Sequence, residues 1–167
     1  EGVGIDVSSS GELYTALKAD CNPQTIYFHG NNKSEEEIIY GIKSKIGYFV
    51  VDNFDELDLL KNTANKLNSK VNILLRVNPG IEAHTHDFIK TGIIDSKFGF
   101  AKGEVLQAVV IALKNEYINF LGLHSHIGSQ IFDSKPYIAE IDELLKIALE
   151  IKKLFCVDCQ EINIGGG

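Results

Sequence analysis

Arg76 is the only arginine in the chain, and it lies in the run Val71-Asn72-Ile73-Leu74-Leu75-Arg76-Val77-Asn78. Alternate side chains of a strand share a face, so Asn72, Leu74, Arg76 and Asn78 lie on one side and Val71, Ile73, Leu75 and Val77 on the other. The wholly apolar side packs on helices, which turns the guanidinium inward, as a structural ion pair or as a fixed cation near a ligand oxygen. His124 and His126 stand two apart in Gly122-Leu123-His124-Ser125-His126-Ile127-Gly128, so both imidazoles project to one face with small glycines beside them. A satisfied core histidine is the simpler reading for His124. An H-x-H on a strand could also bind metal in a barrel hydrolase, but no histidine follows His126 and the others, His29, His84 and His86, lie upstream; no metal site is expected. Gly165-Gly166-Gly167 follow the strand-like Glu161 to Ile164, where bare backbone N–H groups suit a phosphate, a plain turn being the alternative. Ser129 offers a hydroxyl to the same region.

Two other motifs read as ordinary structure. Cys156-Val157-Asp158-Cys159 is a C-x-x-C at a helix end, yet a zinc site needs a second pair and only Cys21 remains. Glu35-Glu36-Glu37 fall in a first helical turn, where acidic side chains complement the helix dipole.

The elements that position these residues follow from the apolar pattern. Strand-length runs recur at Gly4 to Val7, Thr25 to His29, Tyr48 to Asp52, Val71 to Asn78, Phe120 to Ile127 and Glu161 to Ile164. Between them Ser34 with Glu37, and Asn53 with Glu56, form capping boxes ahead of apolar helical stripes. Ser134 and Pro136 open the longest helix, with an expected buried stripe of Ile138, Ile141, Leu145, Ala148 and Ile151. Alternating strands and helices argue for βαβ units and a parallel sheet. A doubly wound sheet would carry a glycine-rich first turn, and none follows Val7. The expected fold is therefore α/β, a parallel (β/α)8 TIM-type barrel that is incomplete, with about six of its eight strands present. Ligands of such folds sit at the C-terminal strand ends, which here carry Asp6, Ser8 and Ser9; His29 to Asn32; Asp52 and Asn53; Arg76 and Asn78; His126, Gly128 and Ser129; and the glycine triplet. Asp52 and Asn53 read more simply as helix caps.

Composition narrows the class. The chain has 167 residues, 44% hydrophobic and 23% charged, with 16 Lys+Arg against 23 Asp+Glu and a net charge of −7. No tract is apolar enough to span a membrane as a helix, and the acidic balance lacks the basic footprint a nucleic acid selects. Three cysteines cannot all pair, so a reducing, cytoplasmic setting is expected. The absence of methionine and the opening in mid-pattern suggest a piece of a longer protein.

Taken together, the residues resemble the diaminopimelate decarboxylase family. The resemblance rests on His29-Gly30-Asn31-Asn32-Lys33, Arg76-Val77-Asn78-Pro79-Gly80, the loop from His84-Thr85-His86 through Lys90-Thr91-Gly92, Ser96-Lys97-Phe98-Gly99 and His124 to Gln130. Asp6 through Ser10-Gly11-Glu12 and the final glycines match as well, in order along essentially the whole chain. Ornithine and arginine decarboxylases share Ser-Lys-Phe-Gly and the glycines, but the strings at His29 to Lys33 and His84 to Gly92 point to the diaminopimelate branch.

The resemblance implies the alanine racemase-like class of barrel and a pyridoxal 5'-phosphate enzyme that decarboxylates meso-2,6-diaminopimelate to L-lysine and CO2. It also implies that His126 stacks on the pyridine, that Ser129, Gly165, Gly166 and Gly167 hold the phosphate, and that Asp6 and Arg76 sit near the ring hydroxyl and the lysine imine. Asp6, Arg76 and His126 are thus the catalytic candidates. Lys97 would make an inter-subunit ion pair in a homodimer. In the family the imine-forming lysine lies on a first barrel strand that would precede Glu1, and the glutamate facing the pyridine nitrogen follows the glycines. Residues 1–167 are then expected to be a partial cofactor-binding barrel, without the last strand and the C-terminal β domain, and inactive alone. Lys33 and Lys97 are not candidates for the imine. Alternatives are an ornithine or arginine decarboxylase, a non-catalytic relative, and a metal-dependent barrel hydrolase.

Overall fold

The computed structural model describes residues 3–81 and 98–166. Its elements alternate as expected: β1 (Ile5–Val7), α1 (Ser10–Lys18), a 3-10 turn (Pro23–Thr25), β2 (Ile26–Phe28), α2 (Glu35–Lys43), β3 (Tyr48–Val51), α3 (Phe54–Lys66), β4 (Val71–Arg76), α4 (Lys102–Leu113), β5 (Ile118–His124), α5 (Lys135–Phe155) and β6 (Glu161–Asn163). The six strands pair in the order β1-β2-β3-β4-β5-β6, all parallel. A doubly wound sheet reverses its order at a switch point, and this one never does, so it forms a curled arc of a barrel. Among the described residues no helix is long and apolar enough to cross a membrane.

One face of the arc is the core. Ile73 and Leu75 of β4 join Phe28, Phe49 and Val51 and meet Leu57, Leu60 and Ala64 of α3 and Val105, Ala108 and Val109 of α4. Leu57, Leu60, Ile73 and Leu75 are fully buried, each such side chain contributing about 1.5–3 kcal/mol of apolar transfer. Leu74, the alternate residue, is buried outside that cluster, on the side it shares with Arg76. The period-two reading of β4 therefore holds.

Helix starts follow the capping chemistry in part. Ser34 and Glu37 make the full capping box of α2. At α3 only half of the box forms: Asn53 Oδ1 accepts the Glu56 N–H at 2.9 Å, whereas the Glu56 carboxylate accepts from Asp52 N–H and from Lys33. The first turn of α5 has Pro136, but Ser134 makes no side-chain cap there; Asp133 accepts the Lys135 N–H instead. The expected stripe of α5 is also corrected. Pro136, Glu140, Leu144, Ile147 and Ile151 are its buried residues, while Ile138, Ile141 and Leu145 are exposed. This helix is apolar on two sides, and helical period alone does not say which side meets the sheet.

Most strands stop one to three residues before their apolar runs do, whereas β1 instead loses Gly4 at its start and β5 begins earlier, at Ile118. Pairing of β4 with β5 slips between Ile73 and Leu74, so Ile73 faces Phe120 while Leu74 faces Gly122. Gly122 is demanded by its other neighbour: a Cβ there would run into the Glu161 carbonyl oxygen.

Candidate active site

A cavity of about 310 Å³ opens at the C-terminal strand ends, lined by Asp6, His29, Arg76, His124, His126, Gly165 and Gly166. Each comes from the end of β1, β2, β4, β5 or β6 or from the loop just after it. A larger cavity of about 560 Å³ lies at the opposite end, near the starts of β3 and β4, between Gln24, Lys45, Ile46, Lys70 and Asn72. We take the smaller as the functional site, because it is where the titratable groups converge and where parallel barrels place their ligands.

Backbone pairing continues past the strand ends and fixes the site residues. His29 N–H donates to the Val7 carbonyl, Val77 N–H to His124, and Ser125 N–H to Asn163. Asp6 Oδ1 lies 3.2 Å from His29 Nε2, and hydrogen bonding to His29 holds the Asp6 carboxyl below its ordinary range against the effect of burial. The His29 ring meets His124 edge-on, with centroids 4.8 Å apart. His124 is only 2% exposed; burial first, then His29 and Arg76, bring its pKa down to about 3. Burial and the Arg76 cation lower His126 as well. Both imidazoles are neutral at pH 7, and a neutral imidazole face can lie on an electron-poor aromatic ring without opposing its charge.

Arg76 is clamped rather than loose. Its Nη1 donates to Asp52 Oδ1 at 3.2 Å, and its guanidinium lies 5.1 Å from the centre of the Phe98 ring. Asp52 Oδ2 accepts the Gly99 N–H at 3.0 Å, so one buried carboxylate fixes both the cation and the bend at Gly99. Gly99 has φ +84, and a Cβ there would be 2.9 Å from the Arg76 carbonyl oxygen. Arg76 is thus the structural ion pair of the first reading, and it also lines the cavity.

At the glycine turn the described residues are Gly165 and Gly166; Gly167 lies outside them, as do the loop from His84 to Gly92 and Lys97. Gly165 has φ +70 and donates its N–H to Asn163 Oδ1 at 2.9 Å. Its main service is closeness, since a Cβ on it would lie 2.8 Å from His126 Nδ1. Gly166 is exposed with open space around it. Ser129 is exposed and lies just outside the cavity lining. Of the cysteine pair, Cys159 is held as a thiol, because burial pushes it up to about 11.

Two residues of the site escaped the sequence reading. His29 stood in the strand-end string without a role, and Asp52 read as a helix cap. The signal for Asp52 was its place at the end of β3, one strand from the lone arginine. Among the described residues, buried His124 Nδ1 has no hydrogen-bond partner and His29 Nε2 has only the Asp6 carboxylate beside it. With the Gly165 backbone drawn close against His126, they leave a cradle that suits a flat, anionic, hydrogen-bonding aromatic group.

The comparisons with known proteins bear on this cradle. The profile of "Pyridoxal-dependent decarboxylase, pyridoxal binding domain" matches residues 1–167. The chain is 48% identical over 169 residues to the diaminopimelate decarboxylase of Bacillus methanolicus, covering 100% of this chain and 39% of that protein. The corresponding values for the Bacillus subtilis (strain 168) enzyme are 44%, 100% and 38%. Among solved structures, the diaminopimelate decarboxylase from M. jannaschii in co-complex with L-lysine superposes with TM-score 0.91 at 40% identity, over 99% of this chain and 38% of that one. A lysine decarboxylase from Selenomonas ruminantium superposes with TM-score 0.84 at 18% identity, over 99% and 40%, which speaks for the fold alone. The chain thus spans 39% or less of the length of these curated relatives.

Proposed function

The chain belongs to the pyridoxal-dependent decarboxylase family, as its pyridoxal-binding domain, and from that premise we propose that it is the barrel portion of a diaminopimelate decarboxylase. The whole protein would convert meso-2,6-diaminopimelate to L-lysine and CO2, with the first barrel strand and its imine-forming lysine, the last strand and a C-terminal β domain supplied by further sequence. The observation that carries the substrate is identity along the full chain, 48% and 44% to diaminopimelate decarboxylases. A lysine/ornithine decarboxylase structure from Vibrio vulnificus shares the fold at only 22%.

The residues of the cavity fit the cofactor's parts. When bound, pyridoxal phosphate supplies an electron sink for the departing carboxylate. His126, neutral and backed by Gly165, would offer its imidazole face to the pyridine. Arg76, fixed by Asp52 and Phe98, would present a cation toward the ring hydroxyl, with Asp6 and His29 lining the same cavity. The phosphate would meet the backbone of Gly166 and Gly167, the Gly165 turn and the Ser129 hydroxyl. Lys33 does not compete for an imine, because its three ammonium protons go to Gly30 O, Val50 O and Glu56 Oε1. A homodimer with Lys97 at its interface and a cytoplasmic location complete this reading.

The deciding experiment is turnover of meso-diaminopimelate, ornithine and arginine by the whole protein with pyridoxal phosphate. Preference for diaminopimelate is expected. Preference for ornithine overturns the branch assignment, and CO2 release by residues 1–167 alone overturns the division of labour.

A further inference from the structure

Behind the cavity lies a buried ion pair that the reaction does not use. Lys33 and Glu56 are each 5% exposed, with Nζ 2.6 Å from Oε1. Taking two charges out of water costs several kcal/mol per ion, and apolar residues of similar volume would hold these loops as well or better. Stability alone therefore does not account for the pair. Its connections are directional. Lys33 Nζ donates to the carbonyls of Gly30, next to His29, and of Val50, at 2.8 Å each. Glu56 Oε2 accepts the N–H of Asp52 at 3.1 Å, and the Asp52 side chain in turn holds Arg76 Nη1 and Gly99 N–H.

We propose that Lys33 and Glu56 are positioning residues: the pair fixes the backbone of Asp52, and through the Asp52 carboxylate it aims the Arg76 guanidinium into the cofactor cavity. The chain of contacts runs from the β2 loop through the start of α3 to the end of β4, so three strand ends are set by one ammonium and one carboxylate. This rests on the reading of Arg76 as a cofactor-facing cation given above. The pair itself touches neither cofactor nor substrate.

The test uses the whole protein and reads pyridoxal phosphate affinity by absorbance titration, together with thermal melting of the cofactor-free form. The double variant Lys33→Met with Glu56→Leu removes both charges, so no buried ion is left unpaired. It should melt cooperatively near the wild type and bind the cofactor about tenfold more weakly, a coupling usual for contacting networks. Arg76→Ala should also weaken binding, and in the Arg76→Ala background the double variant should cost nothing further. Wild-type affinity in the double variant overturns the proposal, as does a loss that simply adds to that of Arg76→Ala. Should the double variant not fold, Lys33→Met with Glu56→Gln carries the same comparison, because it also leaves no buried charge, keeps the shape of Glu56 and weakens the hold on Asp52. A wild-type protein that binds no pyridoxal phosphate would sink the functional reading itself; normal wild-type binding with an indifferent double variant would sink only this inference.

Discussion

The backbone of Gly165 lies so close to the imidazole of His126 that a Cβ on residue 165 would sit 2.8 Å from Nδ1. That approach depends on glycine twice over, because φ is +70 and the left-handed region costs other residues about 1–2 kcal/mol. Gly166, one residue on, has open space around it. Gly165→Ala in the whole protein should therefore weaken pyridoxal phosphate binding by roughly tenfold or more, while Gly166→Ala should change it far less. Equilibrium titration of the cofactor measures both, and equal losses would contradict the contact.

The sequence disclosed the site unevenly, for physical reasons. Period two along β4 placed Arg76 correctly, since a strand's alternation survives in any sheet whose one face is apolar. The H-x-H spacing placed His124 and His126 in one cavity on the same argument. Asp52 was misread because an acidic residue before a helix is usually a cap, and only the neighbouring strand reveals the arginine it holds. The α3 box misled in a related way: Glu56 has the right spacing to cap, but a buried lysine from the β2 loop claims its carboxylate. For α5, two apolar faces left the buried one undecided until packing chose Leu144 and Ile147 over Ile141 and Leu145.

Acid should destabilise the fold through His124. Its folded pKa of about 3 lies below the ordinary histidine value of 6.5 because burial, His29 and Arg76 oppose its protonation, with only Asp6 favouring it. The unfolded chain thus binds a proton that the folded chain refuses, so stability is full above about 6.5 and is lost as pH falls toward about 3. Between pH 7 and pH 5 this one group should remove about 2 kcal/mol. In urea titrations of the whole protein, His124→Phe should lose that much less than wild type over the same interval. Parallel losses in the two proteins would show that the histidine titrates normally.

Glu140 should act with the opposite sign. Its side chain on α5 is completely buried, neither carboxylate oxygen has a hydrogen-bond partner of good geometry among the described residues, and burial raises its pKa, with the Ser125 hydroxyl only partly offsetting the shift. A carboxyl held up in the folded state keeps its proton after the unfolded chain has released its own. Stability contributed by the protonated form is therefore present below the unfolded pKa and is lost as pH rises through the folded one. Glu140→Gln keeps the shape and cannot ionise, so it should match wild type near pH 4 and exceed it by about 1 kcal/mol near pH 8, within the usual cost of an unsatisfied buried polar group. Unfolding midpoints of the whole protein at the two pH values measure this directly. A glutamine variant that is less stable than wild type at pH 8 would mean that the charged carboxylate is stabilised in the fold, and the idea would fail.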